Sequence, residues 1–205
     1  MNTIIVNHPV ALHLITLLRD KNTPPAQFRT IATQLTYFLI TEASKTFTTD
    51  AITIQTPLTQ ATGYVLNHSV AIIPILRAGL SMLQPIIDLL PNVHVGYIGL
   101  ERDETTAKAR SYYCKLPDLK HKKTIILDPM LATGGSAIKA IENIKNAGGE
   151  AITMISIVAS PEGIHAVHEA FPEVSIYTVS IDEGLNDQKY IVPGLGDFGD
   201  RLFGT

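Results

Sequence analysis

The chain has 205 residues, of which 45% are hydrophobic and 17% charged, and its formal net charge is −3. So apolar a chain can bury enough surface to offset its ordering entropy, which excludes a disordered protein, and no apolar run approaches the roughly 18–20 residues that a membrane span needs. The acidic balance argues against a nucleic-acid partner, and a single cysteine, Cys114, fits a cytoplasmic protein.

The N-terminal part predicts two helices and a strand. Apolar residues recur at helical spacing over residues 9–19, which indicates the first helix. The second is predicted to begin with Thr23 as N-cap and Pro24 at its first position, and to continue to about Lys45. Residues 51–56 alternate between apolar and polar side chains, which is typical of a short strand.

From residue 70 onward, apolar strands alternate with helices, which is the pattern of a parallel sheet covered on both faces. The predicted strands span residues 70–75, 93–100, 124–127, 152–159 and 175–181, and the predicted helices span 81–90, 135–147 and 161–170. Pro85 lies inside the first of these helices, so we expect that helix to be short or bent. Residues 102–120 and 182–205 are polar and irregular, as functional loops often are.

A candidate anion site follows the strand that ends near Asp128. The turn after it contains Thr133-Gly134-Gly135-Ser136 and leads into a helix, whose N-terminal N–H groups attract anions. Glycine lets the backbone close around a phosphate, and the two hydroxyls add donors. An ordinary strand-to-helix turn is the alternative. Asp128 favours the functional interpretation, because an acid at a strand end can hold hydroxyls or a hydrated metal.

These residues carry a resemblance. Asp128-Pro-Met-Leu-Ala-Thr-Gly-Gly-Ser136 resembles the ribose-phosphate loop of uracil phosphoribosyltransferases, a branch of the type I phosphoribosyltransferase family. Three other segments agree, in register over nearly the whole chain: His8-Pro9 with residues 17–23, Pro74-Ile-Leu-Arg-Ala-Gly79, and the tail Tyr190-Ile-Val-Pro-Gly-Leu-Gly-Asp-Phe-Gly-Asp-Arg-Leu-Phe-Gly-Thr205.

The resemblance implies an α/β, type I phosphoribosyltransferase fold with a mostly parallel sheet, helices on both faces, an N-terminal helical segment and a C-terminal hood. We expect a single domain over residues 1–205. Its parts would be N-terminal helices and a strand (1–60), an α/β core (70–181), a flexible loop (102–120) and a hood that binds the base (182–205).

The implied reaction joins N1 of uracil to C1 of 5-phospho-α-D-ribose 1-diphosphate (PRPP), giving UMP and diphosphate in pyrimidine salvage. An oxocarbenium-like centre would develop at C1, so the protein must supply positioning and electrostatic stabilisation without a covalent nucleophile. The implied cofactor is Mg²⁺, held mainly through PRPP and water, with Asp197 as a candidate partner. The resemblance also implies a homo-oligomer, dimer or tetramer, and GTP as an activator.

The site residues carried over by the resemblance fall into three sets. Asp128, Arg102 and Asp197 are expected to be catalytic. The expected PRPP-binding residues are Arg77, Arg102, Asp128, Pro129, Met130, Leu131, Ala132, Thr133, Gly134, Gly135, Ser136 and Asp197. The expected uracil-binding residues are Tyr190, Ile191, Gly196, Asp197 and Phe198.

Two of these groups also have a chemical rationale. Arg77 follows an apolar strand, and a guanidinium can grip phosphate oxygens through two N–H groups, although a surface arginine is the alternative. Residues 194–199 match the pattern G-x-G-x-x-G, but we expect no helix after them and therefore exclude a dinucleotide site. Their backbone groups would instead match the polar edge of uracil and reject cytosine. An ordered glycine-rich tail is the alternative.

The sequence departs from the family pattern at Glu101, beside the loop arginine, at Gln84 and Pro85, at Leu14, and at Phe198, where a bulky ring is expected to border the base pocket. These departures put efficiency and base selectivity in question. The alternatives are a phosphoribosyltransferase with another base preference and a regulatory homologue that binds nucleotide without turnover.

His165 and His168 lie three residues apart on a predicted helix. No third ligand lies near them in the sequence. We interpret both as exposed helix residues rather than as a metal pair.

Overall fold

The helices and strands follow the apolar periodicity of the sequence in a computed structural model that describes residues 2–102 and 109–205. The helices are α1 Pro9–Arg19, α2 Pro25–Ala43, α3 Leu83–Leu89, α4 Gly135–Asn146, α5 Pro161–Ala170 and α6 Phe198–Phe203, with short 3-10 turns at Ser44–Thr46 and Ala78–Met82. The strands are β1 Thr3–Ile5, β2 Thr49–Gln55, β3 Gln60–Leu66, β4 Ser69–Leu76, β5 His94–Val95, β6 Tyr97–Arg102, β7 Ala109–Lys115, β8 Lys122–Leu127, β9 Met130–Leu131, β10 Ala151–Ala159, β11 Ser175–Ile181, β12 Gly184–Leu185 and β13 Ile191–Val192.

The main sheet has the strand order β1-β11-β10-β8-β4-β6-β7, with β5 paired to β4 and β9 to β10. Adjacent strands of this sheet are parallel, except that β7 is antiparallel to β6. Because the strands are parallel, β4, β6, β8 and β11 all end at one edge, which we call the carboxyl edge. The segments that follow these strands therefore meet there, as ligand-binding segments do in open α/β sheets.

Helices cover both faces of this sheet. Successive strand residues point to opposite sides, so Ile72 belongs to a buried cluster with α1, α2, α3 and α6, whereas Ile73 belongs to one with α4 and α5. The expected fold class, a mostly parallel sheet between two helical layers, is confirmed.

The start of α2 differs from the prediction, which placed Thr23 at the N-cap and Pro24 at the first helical position. The N-cap is Pro24, with φ −69° and ψ 154°, and the helix begins at Pro25. A residue before proline is driven out of the helical region, so Pro24 cannot be helical when Pro25 follows it. The Thr23 hydroxyl instead donates to the carbonyl of Leu17 at 2.6 Å.

The prediction that Pro85 shortens its helix is confirmed. The chain forms a 3-10 turn over Ala78–Met82 before the seven residues of α3. Pro85 is the third residue of α3, where its missing N–H would have no partner within the helix.

The segment 102–120 was expected to be irregular, and this is wrong for part of it. Ala109–Lys115 forms β7 and pairs with β6, with a register shift between Gly99 and Leu100. The flexible loop expected within this segment includes residues 103–108, which lie outside the described residues.

The strand β3 was missed. It forms an antiparallel hairpin with β2 that protrudes from the main sheet, and most of its residues are exposed on both faces. Apolar side chains of the hairpin, including Ile52, Ile54 and Tyr64, are exposed.

Within the described ranges, no helix has the length and apolarity required to cross a bilayer.

The interpretation of His168 as exposed is also wrong. His168 is buried, and its Nε2 lies 3.2 Å from the carbonyl oxygen of Val174. His165 is exposed on the other side of α5. The spacing of three residues did not distinguish the two because α5 turns one of them toward the sheet.

Candidate active site

Arg77 and Asp128 lie on neighbouring strands at the carboxyl edge. Arg77 directly follows β4 and is exposed, and Asp128 directly follows β8. The two strands pair in parallel up to Pro74 and Leu127. Gly79 fits against the end of β8 because it has no side chain: a Cβ there would lie 2.3 Å from the carbonyl oxygen of Leu127.

Asp128 occupies a break between two strands. Its N–H donates to Ile155 O at 3.3 Å, and the carbonyl of Pro129 then accepts from both Ile157 N and Val158 N, at 3.0 and 3.1 Å. After this step β9 resumes parallel pairing with β10. The hydroxyl of Ser156 donates to the carbonyl of Asp128 at 2.6 Å, so the backbone of the aspartate is held firmly.

The Asp128 carboxyl group has few partners of its own. Within the described residues it accepts one long hydrogen bond, from Met130 N at 3.4 Å. Partial burial raises the pKa of Asp128 to about 7, and this hydrogen bond lowers it only partly. The group is therefore poised between its charged and neutral forms near neutral pH, as functional carboxyls often are.

The candidate anion loop is fastened to α5. The Ser160 hydroxyl donates to Ala132 O at 2.6 Å and also caps α5 by accepting from Gly163 N at 2.9 Å. Gly163 packs directly against the loop, since a Cβ there would lie 2.3 Å from Ala132 O. Gly134 has a left-handed φ of 81°, which favours glycine.

The loop leaves backbone donors at the start of α4. Gly134 is the N-cap of the helix and has no side chain to cap it, and the first helical bond is made by Ile138 N to Gly134 O at 2.8 Å. A pocket of about 70 Å³ is lined here by Asp128 and by the residues from Met130 to Ala137. Gly135 N donates a long hydrogen bond to Thr133 Oγ1, at 3.5 Å. Weakly bonded N–H groups at a helix N-terminus, next to a small pocket, suit an anion.

The tail folds back as a turn and a short helix. β12 and β13 form an antiparallel pair, after which a cis Val192–Pro193 peptide leads through Gly194 and Gly196 into α6. The expectation that no helix forms here is wrong. Asp197 caps α6 by accepting from Asp200 N at 2.9 Å, and so supplies an acceptor for one of the unpaired N–H groups at the start of the helix.

The expected base residues differ in what they expose. Tyr190, Gly196 and Asp197 are exposed, whereas Ile191 and Phe198 are buried. The ring of Phe198 was expected to border the base pocket; it is 3% exposed and packs against Phe28, with centroids 5.0 Å apart. This is because position 198 lies on the face of α6 that meets α2. The side chains of Ile191 and Phe198 therefore belong to the hydrophobic core.

The tail borders an open pocket of about 490 Å³. Its walls are formed by Arg19, Lys21, Pro193, Gly194, Leu195, Gly196, Asp197, Asp200 and Arg201. Five of these residues are charged, and the others belong to the turn between β13 and α6. A flat polar ring with several hydrogen-bonding groups would find both donors and acceptors in such a pocket.

Sequence reasoning missed an ion pair that holds this tail. Arg19, at the end of α1, binds Asp182, which directly follows β11. The two residues are 163 positions apart, and no local pattern links them. The only available signal was that Arg19 lies inside one of the segments that carry the family resemblance.

Arg102 is the last residue of β6, at the carboxyl edge, but its side chain lies outside the described residues. Among residues 2–102 and 109–205, no group of three or more His, Cys, Asp or Glu side chains is arranged to hold a metal ion. An ion bound mostly by substrate and water needs few protein ligands.

Three comparisons place this geometry among known proteins. Residues 5–205 match the family model described as uracil phosphoribosyltransferase. A curated protein named uracil phosphoribosyltransferase, from Fervidobacterium nodosum, is 49% identical over 203 residues, which is 98% of each chain. A solved structure of an Aquifex aeolicus protein superposes with a TM-score of 0.94 at 37% identity, covering 99% of this chain and 98% of that one. A purine phosphoribosyltransferase from Pyrococcus horikoshii shares the fold, with a TM-score of 0.51 at 18% identity over 74% of this chain and 83% of its own.

Proposed function

This chain belongs to the uracil phosphoribosyltransferase family, and we propose that its carboxyl edge transfers the phosphoribosyl group of PRPP to N1 of uracil, forming UMP and diphosphate for pyrimidine salvage. The observation that carries the proposal is the anion loop, a set of backbone donors beside a carboxyl group at the end of β8. A sugar that carries a phosphate and two hydroxyl groups fits that combination.

The donor would lie across the anion loop. Its 5′-phosphate would occupy the pocket at the start of α4, bound by the backbone of residues 129–136 and by the hydroxyls of Thr133 and Ser136. Asp128 would accept hydrogen bonds from the ribose hydroxyls. Both contacts hold C1 in place without forming a covalent bond to the protein.

The pyrophosphate would lie toward the neighbouring strands. Arg77 follows β4 and Arg102 ends β6, so both guanidinium groups start from the carboxyl edge. Each can bind two phosphate oxygens and offset the charge of the leaving group. The donor set here suits Mg²⁺ held through PRPP and water, with Asp128 and Asp197 as the nearby carboxylates, and the ion would supply further charge neutralisation.

The base would be held by the tail. Gly196 and Asp197 line the open pocket, and Tyr190 is exposed beside β13, while Ile191 and Phe198 would contribute backbone groups alone. Backbone donors and acceptors can match the carbonyl, N–H, carbonyl edge of uracil, and cytosine would leave one of them unpaired. Asp197 would lie between base and sugar.

The chemistry follows from this arrangement. As the bond between C1 and the pyrophosphate breaks, positive charge develops on the ribose, close to the Asp128 and Asp197 carboxylates. Uracil N1 forms the new bond to C1 from the other face as the electron pair of the broken bond leaves with the pyrophosphate, and the N1 proton passes to solvent water. The arginines stabilise the departing pyrophosphate, so the protein contributes orientation and electrostatic stabilisation.

The family resemblance also supports a homo-oligomer, dimer or tetramer, activation by GTP and a cytoplasmic location. The exposed hairpin of β2 and β3 adds structural support for the oligomer. A two-stranded hairpin is marginal in water, and the exposed Ile52, Ile54 and Tyr64 would gain stability if a second copy covered them.

A single assay tests the proposal. Purified protein is incubated with Mg²⁺ and PRPP, and with uracil, cytosine, hypoxanthine or orotate in parallel. We expect UMP from uracil and no nucleotide from the other bases. A different nucleotide would instead identify another base preference, and tight binding of PRPP without any product would identify a regulatory homologue.

A further inference from the structure

We propose that Arg19 is a positioning residue that sets the conformation of the base-binding tail, an inference that rests on the function proposed above. Arg19 ends α1, and Asp182 follows β11 at the carboxyl edge. Both ends of the guanidinium bind the carboxylate: Nη1 donates to Oδ2 at 2.7 Å and Nη2 to Oδ1 at 2.5 Å. A bidentate pair fixes orientation as well as distance.

The same groups hold the backbone of the tail. Arg19 Nη1 also donates to Gly194 O at 2.7 Å, and Asp182 Oδ2 accepts from Gly194 N at 2.8 Å. Ser180 completes the cluster, accepting from Arg19 Nη2 at 3.0 Å and donating to Asp182 Oδ1 at 2.8 Å. Both backbone polar groups of Gly194 are thus fixed by one ion pair, two residues before the exposed Gly196.

The pair is well shielded from solvent. The side chain of Asp182 is 2% exposed and that of Arg19 is 24% exposed. Burial alone would raise the pKa of Asp182, but the hydrogen bonds from Arg19, Ser180 and Gly194 outweigh it and lower the pKa, so the carboxylate is charged. Buried ion pairs add little net stability compared with apolar contacts, and fixing a unique geometry is the better account of such a pair.

Arg201 makes the reciprocal contact from the tail. It extends from α6, and its Nη1 donates to Leu18 O at 2.7 Å and to Leu195 O at 2.8 Å, while its Nη2 donates to Asp20 O at 2.5 Å. Arg201 therefore holds the backbone on both sides of Arg19. We call Arg19, Asp182 and Arg201 the arginine clasp.

The clasp connects the tail to the edge where the donor would bind. In the sheet, β11 is separated from β8 by β10 alone, so Asp182 and Asp128 follow strands roughly 10 Å apart. The clasp would thereby set the distance between the base and C1 of the donor. Its loss should weaken uracil binding far more than PRPP binding.

Kinetics of Arg19→Gln and Arg19→Lys test this inference, with Lys45→Gln as the control because it removes an exposed ion pair with Glu42. For Arg19→Gln we expect the KM for uracil to rise about tenfold or more while the KM for PRPP stays within about twofold. Arg19→Lys keeps the charge but not the bidentate geometry, so we expect an intermediate value. The control should match the unmodified protein.

Hydrogen exchange of the same proteins gives a readout that is independent of activity. Peptides from residues 190–203 should exchange faster in both Arg19 variants, and peptides from residues 124–131 should not change. If Arg19→Gln fails to fold, Arg19→Lys carries both measurements. A folded variant with unchanged tail exchange would overturn the inference even if its KM for uracil rose, because Arg19 also lines the open pocket and would then act by direct contact. An equal rise of both KM values, or an unchanged KM for uracil, would overturn it as well.

The proposed function can fail separately. If the unmodified protein forms no UMP, that function is wrong, and tail exchange still decides whether the clasp orders residues 190–203. If UMP forms but the variants show no split between the two KM values, the function stands and the positioning role of Arg19 is wrong.

Discussion

Two aspartates at the carboxyl edge are used in opposite ways. Asp182 accepts hydrogen bonds from Arg19, Ser180 and Gly194, and its pKa is lowered. For Asp128 the described residues provide one long bond, from Met130 N, and partial burial raises its pKa to about 7. The comparison teaches that Asp182 is engaged by the fold, while Asp128 keeps its hydrogen-bonding capacity for a ligand.

The largest expected effect concerns Asp128, the aspartate that keeps its hydrogen-bonding capacity for a ligand. Asp128→Asn removes the charge that faces the ribose and the developing positive centre, so we expect kcat/KM to fall about 10²–10³-fold while the fold survives. Steady-state kinetics and near-ultraviolet circular dichroism measure both. Asp118→Asn is the control, because its exposed side chain accepts from Lys120 N, which an asparagine can also do. A folded Asp128→Asn protein with normal turnover would contradict the role given to Asp128.

A second prediction concerns the contribution of the Phe198 ring to the stability of the fold. Phe198 is buried against Phe28, so Phe198→Ala should lower the free energy of unfolding by about 3 kcal/mol through the cavity it leaves. Base selectivity should not change, because only the backbone of residue 198 would face the base. Denaturant unfolding and the assay with four bases measure the two effects. Altered selectivity with normal stability would show that the ring lies in the base site after all.

A smaller effect is expected where the anion loop meets α5. A Cβ at Gly163 would lie 2.3 Å from Ala132 O and 2.9 Å from Leu131 O, so Gly163→Ala must displace the loop backbone. We expect the KM for PRPP to rise about tenfold or more, since small misplacements in a binding site are costly. The KM for uracil serves as the internal reference. Equal changes in both constants would show that the loop does not bind the donor.

The smallest expected effect is on the pH dependence of stability. Because the pKa of Asp128 is raised to about 7, the folded protein binds more protons than the unfolded chain between about pH 4 and 7, and its stability falls as pH rises through that window. Asp128→Asn cannot titrate and so does not lose stability in this way. The difference in melting temperature, variant minus unmodified protein, should therefore become more positive by a few degrees between pH 4 and pH 7.

Asp182→Asn should show the opposite trend. The lowered pKa of Asp182 contributes stability above the ordinary aspartate pKa, and that contribution disappears as the pH falls through the folded value. The loss of stability of Asp182→Asn, relative to the unmodified protein, should therefore be largest at neutral pH and become smaller in acid. Thermal melts from about pH 2 to pH 8 measure both trends, and parallel curves for the two variants would remove the distinction between the aspartates.

The anion loop was predictable from the sequence because its parts are contiguous. A buried strand, an acid, two glycines and a helix start follow one another from residue 124 to residue 137, and local geometry does the rest. The parallel sheet was predictable for the same reason, since the alternation of apolar strands and helices already implies it.

The tail was less predictable because it is assembled from distant residues. Arg19 and Asp182 are far apart in the sequence, and Phe198 lies in a helix of six residues, too short for periodicity to reveal its buried face. The position of Pro24 depends on its successor Pro25, which keeps Pro24 out of the helical region. In each case a contact outside the local pattern decided the outcome.

The close fit of Gly79 has a consequence for engineering. There is no room for a methyl group between Gly79 and the carbonyl of Leu127, so the turn that carries Arg77 packs directly against the end of the strand that precedes Asp128. A designer who lengthens or shortens the turn to admit a bulkier leaving group would also displace the aspartate. Altered donor specificity is therefore better sought by replacing side chains on this rigid frame than by remodelling the frame itself.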